Sequence, residues 1–222
     1  MRRDLLKPLA LAAVPAALFL ALISTSGCAH KKTVAQNAEA MQPPGGTLRA
    51  EAVVEMDRAL SASGKARIYA KAPRSFRIEV KGPFAQVVAL FASDGYTLHT
   101  FTDGVERYYP ADSPDAPLPF SSAEIVSVLM GSGLKPLKDA GFEVEADPMG
   151  RPVKAVKEIP GADGGTVTVL FSDYRDAGGA EIPFEISIQG PRLDRLRIRY
   201  SSVDIGNGFD EGFFDIEAGG WD

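Results

Sequence analysis

Apolar and polar side chains alternate along most of the chain beyond residue 47. Ala66, Ile68 and Ala70 alternate with Lys65, Arg67, Tyr69 and Lys71, and Phe76, Ile78 and Val80 alternate with Arg77 and Glu79. A period of two places one set on each face of a pleated strand, so each segment has one face to bury. Segments beginning at Leu48, Gly64, Ser75, Val87, Tyr96 and Val105 read as successive strands, with Asp-Gly pairs at 94–95 and 103–104 supplying the tight turns. The pattern changes over 117–133, "PLPFSSAEIVSVLMGSG". Ser121 reads as an N-cap with Glu124 three residues on, and Gly131 or Gly133 as the stop. Between them Ile125, Val128 and Leu129 fall on one face of a short apolar helix. Strands resume in "AGFEVEAD", "RPVKAVKEI", "GTVTVLFSDY", "IPFEISIQG" and "RLRIRYSSVDI". A long antiparallel meander interrupted by one or two helices predicts a curved sheet wrapped around the helix, or a barrel left partly open.

The first 27 residues have a different grammar. Arg2, Arg3 and Lys7 precede an apolar run from Pro8 to Ile23, and small residues follow up to Cys28, the single cysteine of the chain. This is the layout of a secretory signal. The run is shorter than the roughly 20 apolar residues a spanning helix needs, and Pro15 interrupts it. "TSGC" resembles the lipobox of bacterial lipoproteins, with Thr25 where Leu is usual. In such proteins the cysteine receives a diacylglyceryl group and becomes the new N-terminus. The expected boundaries are a signal peptide at 1–27, a lipidated N-terminus and linker at 28–46, and one folded domain at 47–222. Several acyl chains would make the anchoring firm, since each buried methylene contributes about 0.8 kcal/mol. Ala29 follows the cysteine where enterobacterial inner-membrane lipoproteins carry Asp, which implies the outer membrane of a Gram-negative bacterium, periplasmic face. "RRDLLK" reads equally as a twin-arginine export motif or as an ordinary basic head, so the export route stays open.

Removing 1–27 takes away three positive charges and one negative and moves the formal charge from −5 to −7. An acidic surface of this kind argues against nucleic-acid binding, which needs a basic stripe. Without a further cysteine there is no disulfide framework. Catalytic constellations are scarce. His30 falls in the linker and His99 in a strand, as a surface or core-edge residue. Asp210, Glu211 and Asp215 in "FDEGFFD" read as a polar turn followed by a terminal strand, and "GADGG" and "DAGG" read as turns rather than phosphate loops. The chain reads as no enzyme, with no cofactor or metal.

In "KGPFAQVV", Gly82 and Pro83 break a strand and Phe84 follows at the turn. Phe84 is either displayed at a tip with Pro83 or folded back as a rim contact. Residues 62–135, with a basic alternating strand, "FRIEVKGPFAQVVALFASDGYTLHTF", a loop and an apolar helix, resemble the lipoprotein-sorting family of the receptor LolB and the carrier LolA. The resemblance implies an unclosed antiparallel β-barrel, mainly β with short helices, whose apolar cavity holds acyl chains. It further implies a membrane-contacting apolar residue at the position of Phe84 and a periplasmic LolA-like carrier as partner. The expected cavity residues are Ile68, Ile78, Val80, Val88, Leu90, Leu98, Ile125, Leu129 and Met130, with Cys28 as the lipidated residue. Two functions stay open: a module that binds acyl chains of lipoproteins or lipids and assists their placement in the outer membrane, or a scaffold lipoprotein that grips another envelope protein. A continuous apolar pocket of several hundred Å³ favours the first and a filled interior the second.

Overall fold

The computed structural model describes residues 46–57, 63–131, 133–160, 164–191, 193–210 and 212–215. The expected leader, the acyl acceptor Cys28 and the linker up to residue 45 lie outside the described residues. Six strands come first: β1 (Thr47–Asp57), β2 (Ser63–Lys71), β3 (Ser75–Lys81), β4 (Val87–Ser93), β5 (Thr97–Thr102) and β6 (Val105–Pro110). Two helices follow, α1 (Ser122–Met130) and α2 (Leu134–Asp139), and then β7 (Glu143–Ala146), β8 (Pro152–Ile159), β9 (Gly165–Ala177), β10 (Ala180–Gly190) and β11 (Leu193–Ile205).

All the strands join one antiparallel sheet in the order β6-β5-β4-β3-β2-β1-β11-β10-β9-β8-β7. Each half is a meander, and the halves meet where the first strand pairs with the last, Leu48 opposite Ile205 and Asp57 opposite Arg195. The edges β6 and β7 do not pair, so the sheet is an unclosed half-barrel. The segment 111–142 that connects these two edges carries both helices.

The alternation read from the sequence sets the two faces. Leu48, Ala50, Ala52, Val54 and Met56 of β1 are buried, with Ala66, Ile68 and Ala70 of β2 and Phe76, Ile78 and Val80 of β3 beside them in register. On the far half Val167, Val169 and Phe171 join Ile182, Phe184, Ile186 and Ile188. These side chains and α1 form a single core on the concave face. Every described element lies between Thr47 and Ile205, so residues 29–222 carry the whole described fold.

α1 is capped as its sequence requires. Ser121 accepts from the Glu124 amide, the Glu124 carboxylate accepts from the Ser121 amide at 2.8 Å, and Gly131 ends the helix at φ 55. Its apolar residues run nearly all the way round, and Ile125, Val126, Val128, Leu129 and Met130 are all buried. A helix of that kind belongs inside a core.

The end of the chain departs from expectation. Among the described residues no strand forms at 210 or over 212–215; the chain turns at 212–214 instead. β11 already has β1 and β10 on its two sides, leaving no free edge for another strand. Phe209 and Phe213 fold back against Tyr69 on the convex face, with centroids 6.0 and 5.1 Å from its ring, and Phe214 packs behind them. Arg49 lies 5.5 Å above the Phe209 ring. Among the described residues of "FDEGFFD", Phe209, Phe213 and Phe214 make the ring contacts that hold the turn to the sheet.

Candidate functional site

α1 is held across the concave face at both ends. At its start the Glu124 carboxylate pairs with Lys157 of β8, whose ammonium also donates to the Ala140 carbonyl at 3.1 Å after α2. Ser122 donates from its hydroxyl to that of Ser93 in β4 at 2.8 Å. At its end the Tyr200 hydroxyl of β11 donates to the Leu129 carbonyl at 2.8 Å. Burial pushes the Tyr200 hydroxyl pKa well above its ordinary value, which keeps it a donor. Gly131 sits so close to β10 that an added Cβ would lie 2.3 Å from Pro183 Cδ.

Beneath the helix lies a void of about 30 Å³. Ile78, Ile125 and Leu129 meet there with Val128, Leu118 and Phe120, and Ile188, Leu196 and Ile198 form the opposite wall. The lining is wholly apolar, so the void has nothing to hold a water by hydrogen bonds. A second hollow of about 140 Å³ lies outside it, lined by Asp112, Ser113, Pro114, Pro119, Ser121, Ile159, Pro160 and Pro191. Leu118 and Phe120 line both spaces.

The expected cavity residues are distributed unevenly. Ile78, Ile125 and Leu129 line the void; Ile68, Val80, Leu98 and Met130 are buried in the same core without reaching it, and Val88 packs at its margin. Leu90 is placed elsewhere. It stands opposite Glu79 and Phe101 in register, on the face away from Ile78 and Phe91, and is buried on the convex side. The cause is an irregularity between β3 and β4 after Val80, which carries Ala89 and Phe91 rather than Leu90 to the concave face. Leu118, Phe120, Ile188, Leu196 and Ile198 were outside the expected set. The alternation of "EISI" and "RLRIRY" carries the signal for the last three, whereas Leu118 and Phe120 sit in a Pro-rich loop without a period.

Phe84 is 89% exposed. The turn is closed by Gly82 donating to the Gln86 carbonyl at 2.8 Å and Ala85 donating to the Gly82 carbonyl at 3.0 Å, with Ala85 at φ 63. The Gln86 side chain accepts from the Phe84 amide at 3.0 Å. This closed turn points the ring outward, with Pro83 exposed beside it and Val87 38% exposed.

No family model matches the chain, and no curated protein matches it in sequence. Solved structures match it in fold. A DUF1329 family protein from Desulfovibrio piger superposes with a TM-score of 0.50 at 13% identity, over 86% of this chain and 97% of its own. A LolA superfamily protein from Nitrosomonas europaea gives a TM-score of 0.47 at 11% identity, over 82% and 96%. The lipoprotein LppX from Mycobacterium tuberculosis gives 0.33 at 12% identity, over 82% and 97%. At these identities the likeness is one of fold.

Proposed function

We propose that the chain is a lipid-anchored envelope protein, tethered through Cys28 to the outer membrane, that takes up an acyl chain between α1 and the concave sheet and gives it up at the Phe84 rim. The observation that carries this reading is an apolar helix packed over an all-apolar void, with Leu118 and Phe120 lining both that void and a second hollow. In its closed form the void is far below the roughly 300 Å³ at which ligand pockets begin. Uptake therefore requires α1 and the 111–121 loop to swing away from Ile188, Leu196 and Ile198. The fold names of the solved neighbours, a LolA superfamily protein and a lipoprotein among them, are consistent with this reading. Donation by a periplasmic LolA-like carrier belongs to the same proposal.

The test is mass spectrometry of lipids that co-purify with residues 29–222, together with titration of a fluorescent acyl probe. Stoichiometric lipid and a saturable probe are expected, and their absence would sink the carrier reading. Phe84→Glu is expected to leave folding and probe binding unchanged and to slow transfer of an acylated protein into liposomes, because a carboxylate opposes contact with hydrocarbon. Burying a Phe contributes about 1.5–3 kcal/mol, enough for a transient touch and too little to fix the domain in place. The small closed void favours a second reading, a scaffold lipoprotein with a permanently filled interior. That reading predicts no lipid and no probe binding.

A further inference from the structure

The convex face beside the Phe84 turn carries an arrangement that folding does not explain. Lys65 of β2 stands directly opposite Lys81 of β3, with Val53 of β1 on one side and Val87 of β4 on the other. Like charges directly across a strand pair repel and destabilise the sheet. The neighbouring carboxylates do not relieve them. Glu55 is engaged by Arg199, Glu185 by Arg197 at 2.6 Å and Glu79 by Arg77, while Glu51, one row away and opposite Arg67, makes no ion pair with either lysine among the described residues. Among the described residues no ion pair is made by Lys65 or Lys81. The two apolar members of the row are open as well, Val53 at 36% and Val87 at 38% exposure. Adjacent strands lie about 4.8 Å apart, so the row from Val53 to Val87 spans about 15 Å, and the exposed Phe84 turn begins one residue beyond Lys81.

We infer that the row Val53–Lys65–Lys81–Val87 is a docking surface for a bilayer rich in anionic phospholipid, its two ammonium groups taking headgroup phosphates while Phe84 and Val87 reach the acyl boundary. The inference rests on the proposed contact of the Phe84 rim with a membrane and names the lipid charge that contact selects. The occupant follows from charge complementarity. On a domain whose formal charge is −7 once residues 1–27 are removed, two adjacent cations that make no ion pair offer a local site for an external anion, and the open apolar side chains on both flanks suit a surface with an apolar layer behind its charge.

The experiment is co-sedimentation of residues 29–222 with vesicles of phosphatidylglycerol or of phosphatidylcholine at low salt. Partitioning is expected to favour phosphatidylglycerol at least about tenfold, because a cation at an anionic surface contributes about 1 kcal/mol, or about fivefold. Lys65→Gln and Lys81→Gln are each expected to weaken that partitioning about fivefold, whereas Lys135→Gln, on exposed α2, leaves it unchanged. Raising the ionic strength should collapse the preference. Equal binding to the two vesicle types, or lysine variants that behave like Lys135→Gln, would overturn the inference. Binding of a poly-glutamate peptide with no preference for phosphatidylglycerol would overturn it in favour of an acidic protein partner. Loss of acyl-probe binding with the vesicle preference intact would count against the carrier reading and leave this one standing.

Discussion

His99 is fully buried although its strand register turns it away from the core. It stands between Ala92 of β4 and Tyr108 of β6, and its ring stacks on that of Tyr108, centroids 4.6 Å apart and nearly parallel. The half-exposed tyrosine shields the imidazole from water on the convex face, which makes it buried rather than the surface or core-edge residue its strand position suggests. Burial lowers its pKa below the ordinary 6.5; Glu106 opposes that shift and Arg77, two strands away, adds to it. The folded state therefore keeps His99 neutral over a range where the unfolded chain protonates it. Its contribution to stability is complete above pH 6.5 and is lost as the pH falls through that value toward the folded pKa. Calorimetric melting from pH 7.5 to 5 should show a falling Tm in the wild-type domain and a flatter profile in His99→Phe, since most carboxylates titrate below that range. Equal slopes in the two proteins would remove His99 as the cause.

At the scale of elements, the connection between the two sheet edges matters most, because under the carrier reading it is the lid and a few side-chain bonds hold it down. Glu124, Lys157 and the Ala140 carbonyl fasten the start of α1 and the end of α2 to β8. Lys157→Met leaves Glu124 with its capping bond but without its cation. It should cost about 1.5–3 kcal/mol in chemical denaturation, in the range for a hydrogen bond to a charged group. Under the carrier reading the same variant should take up an acyl probe faster; slower or unchanged uptake would place the opening elsewhere. Adding Glu124→Gln to Lys157→Met should recover part of the lost stability, because the stranded charge is then gone. The elements themselves were largely legible in the chain. Six strands, a capped helix and five more strands follow from alternation, Asp-Gly turns and the Ser121–Glu124 spacing. The site was legible only in part. Alternation cannot reveal the irregularity after Val80 that sends Leu90 to the convex side. Nor can it show that Leu118 and Phe120 are drawn from a loop into the wall of the void. The pairing of Lys65 with Lys81 is likewise a matter of register between strands, invisible along either one.

At the scale of the whole molecule, the pairing of β1 with β11 decides where the proposed tether would leave the domain. Under the proposed reading the linker would enter at Thr47, the start of β1, while the Phe84 turn lies beyond the level of Val53, because Val53, Lys65 and Lys81 share one row. Six residues separate Thr47 from Val53, so at about 3.3 Å each the rim that carries Phe84 stands at least ~20 Å along the strand axis from the point of attachment. A domain anchored through Cys28 on a short tether would present its Thr47 end to its own bilayer and hold Phe84 away from it. Residues 29–46 span up to about 60 Å when extended, which is enough for the domain to turn over and set the Phe84 rim on the membrane that anchors it. The carrier reading therefore makes linker length a functional quantity independent of linker sequence. Deleting residues 31–44 leaves a tether of about 13 Å, shorter than the offset between the two ends. The shortened, lipidated protein should fold, melt and bind an acyl probe like the full-length form, yet fail to deliver an acylated protein into the liposome to which it is anchored. Replacing the same residues with a Gly/Ser segment of equal length should restore delivery. If the short-tether form delivers as well as the long one, the Phe84 rim is not the exit, or the receiving bilayer is not the one that holds Cys28.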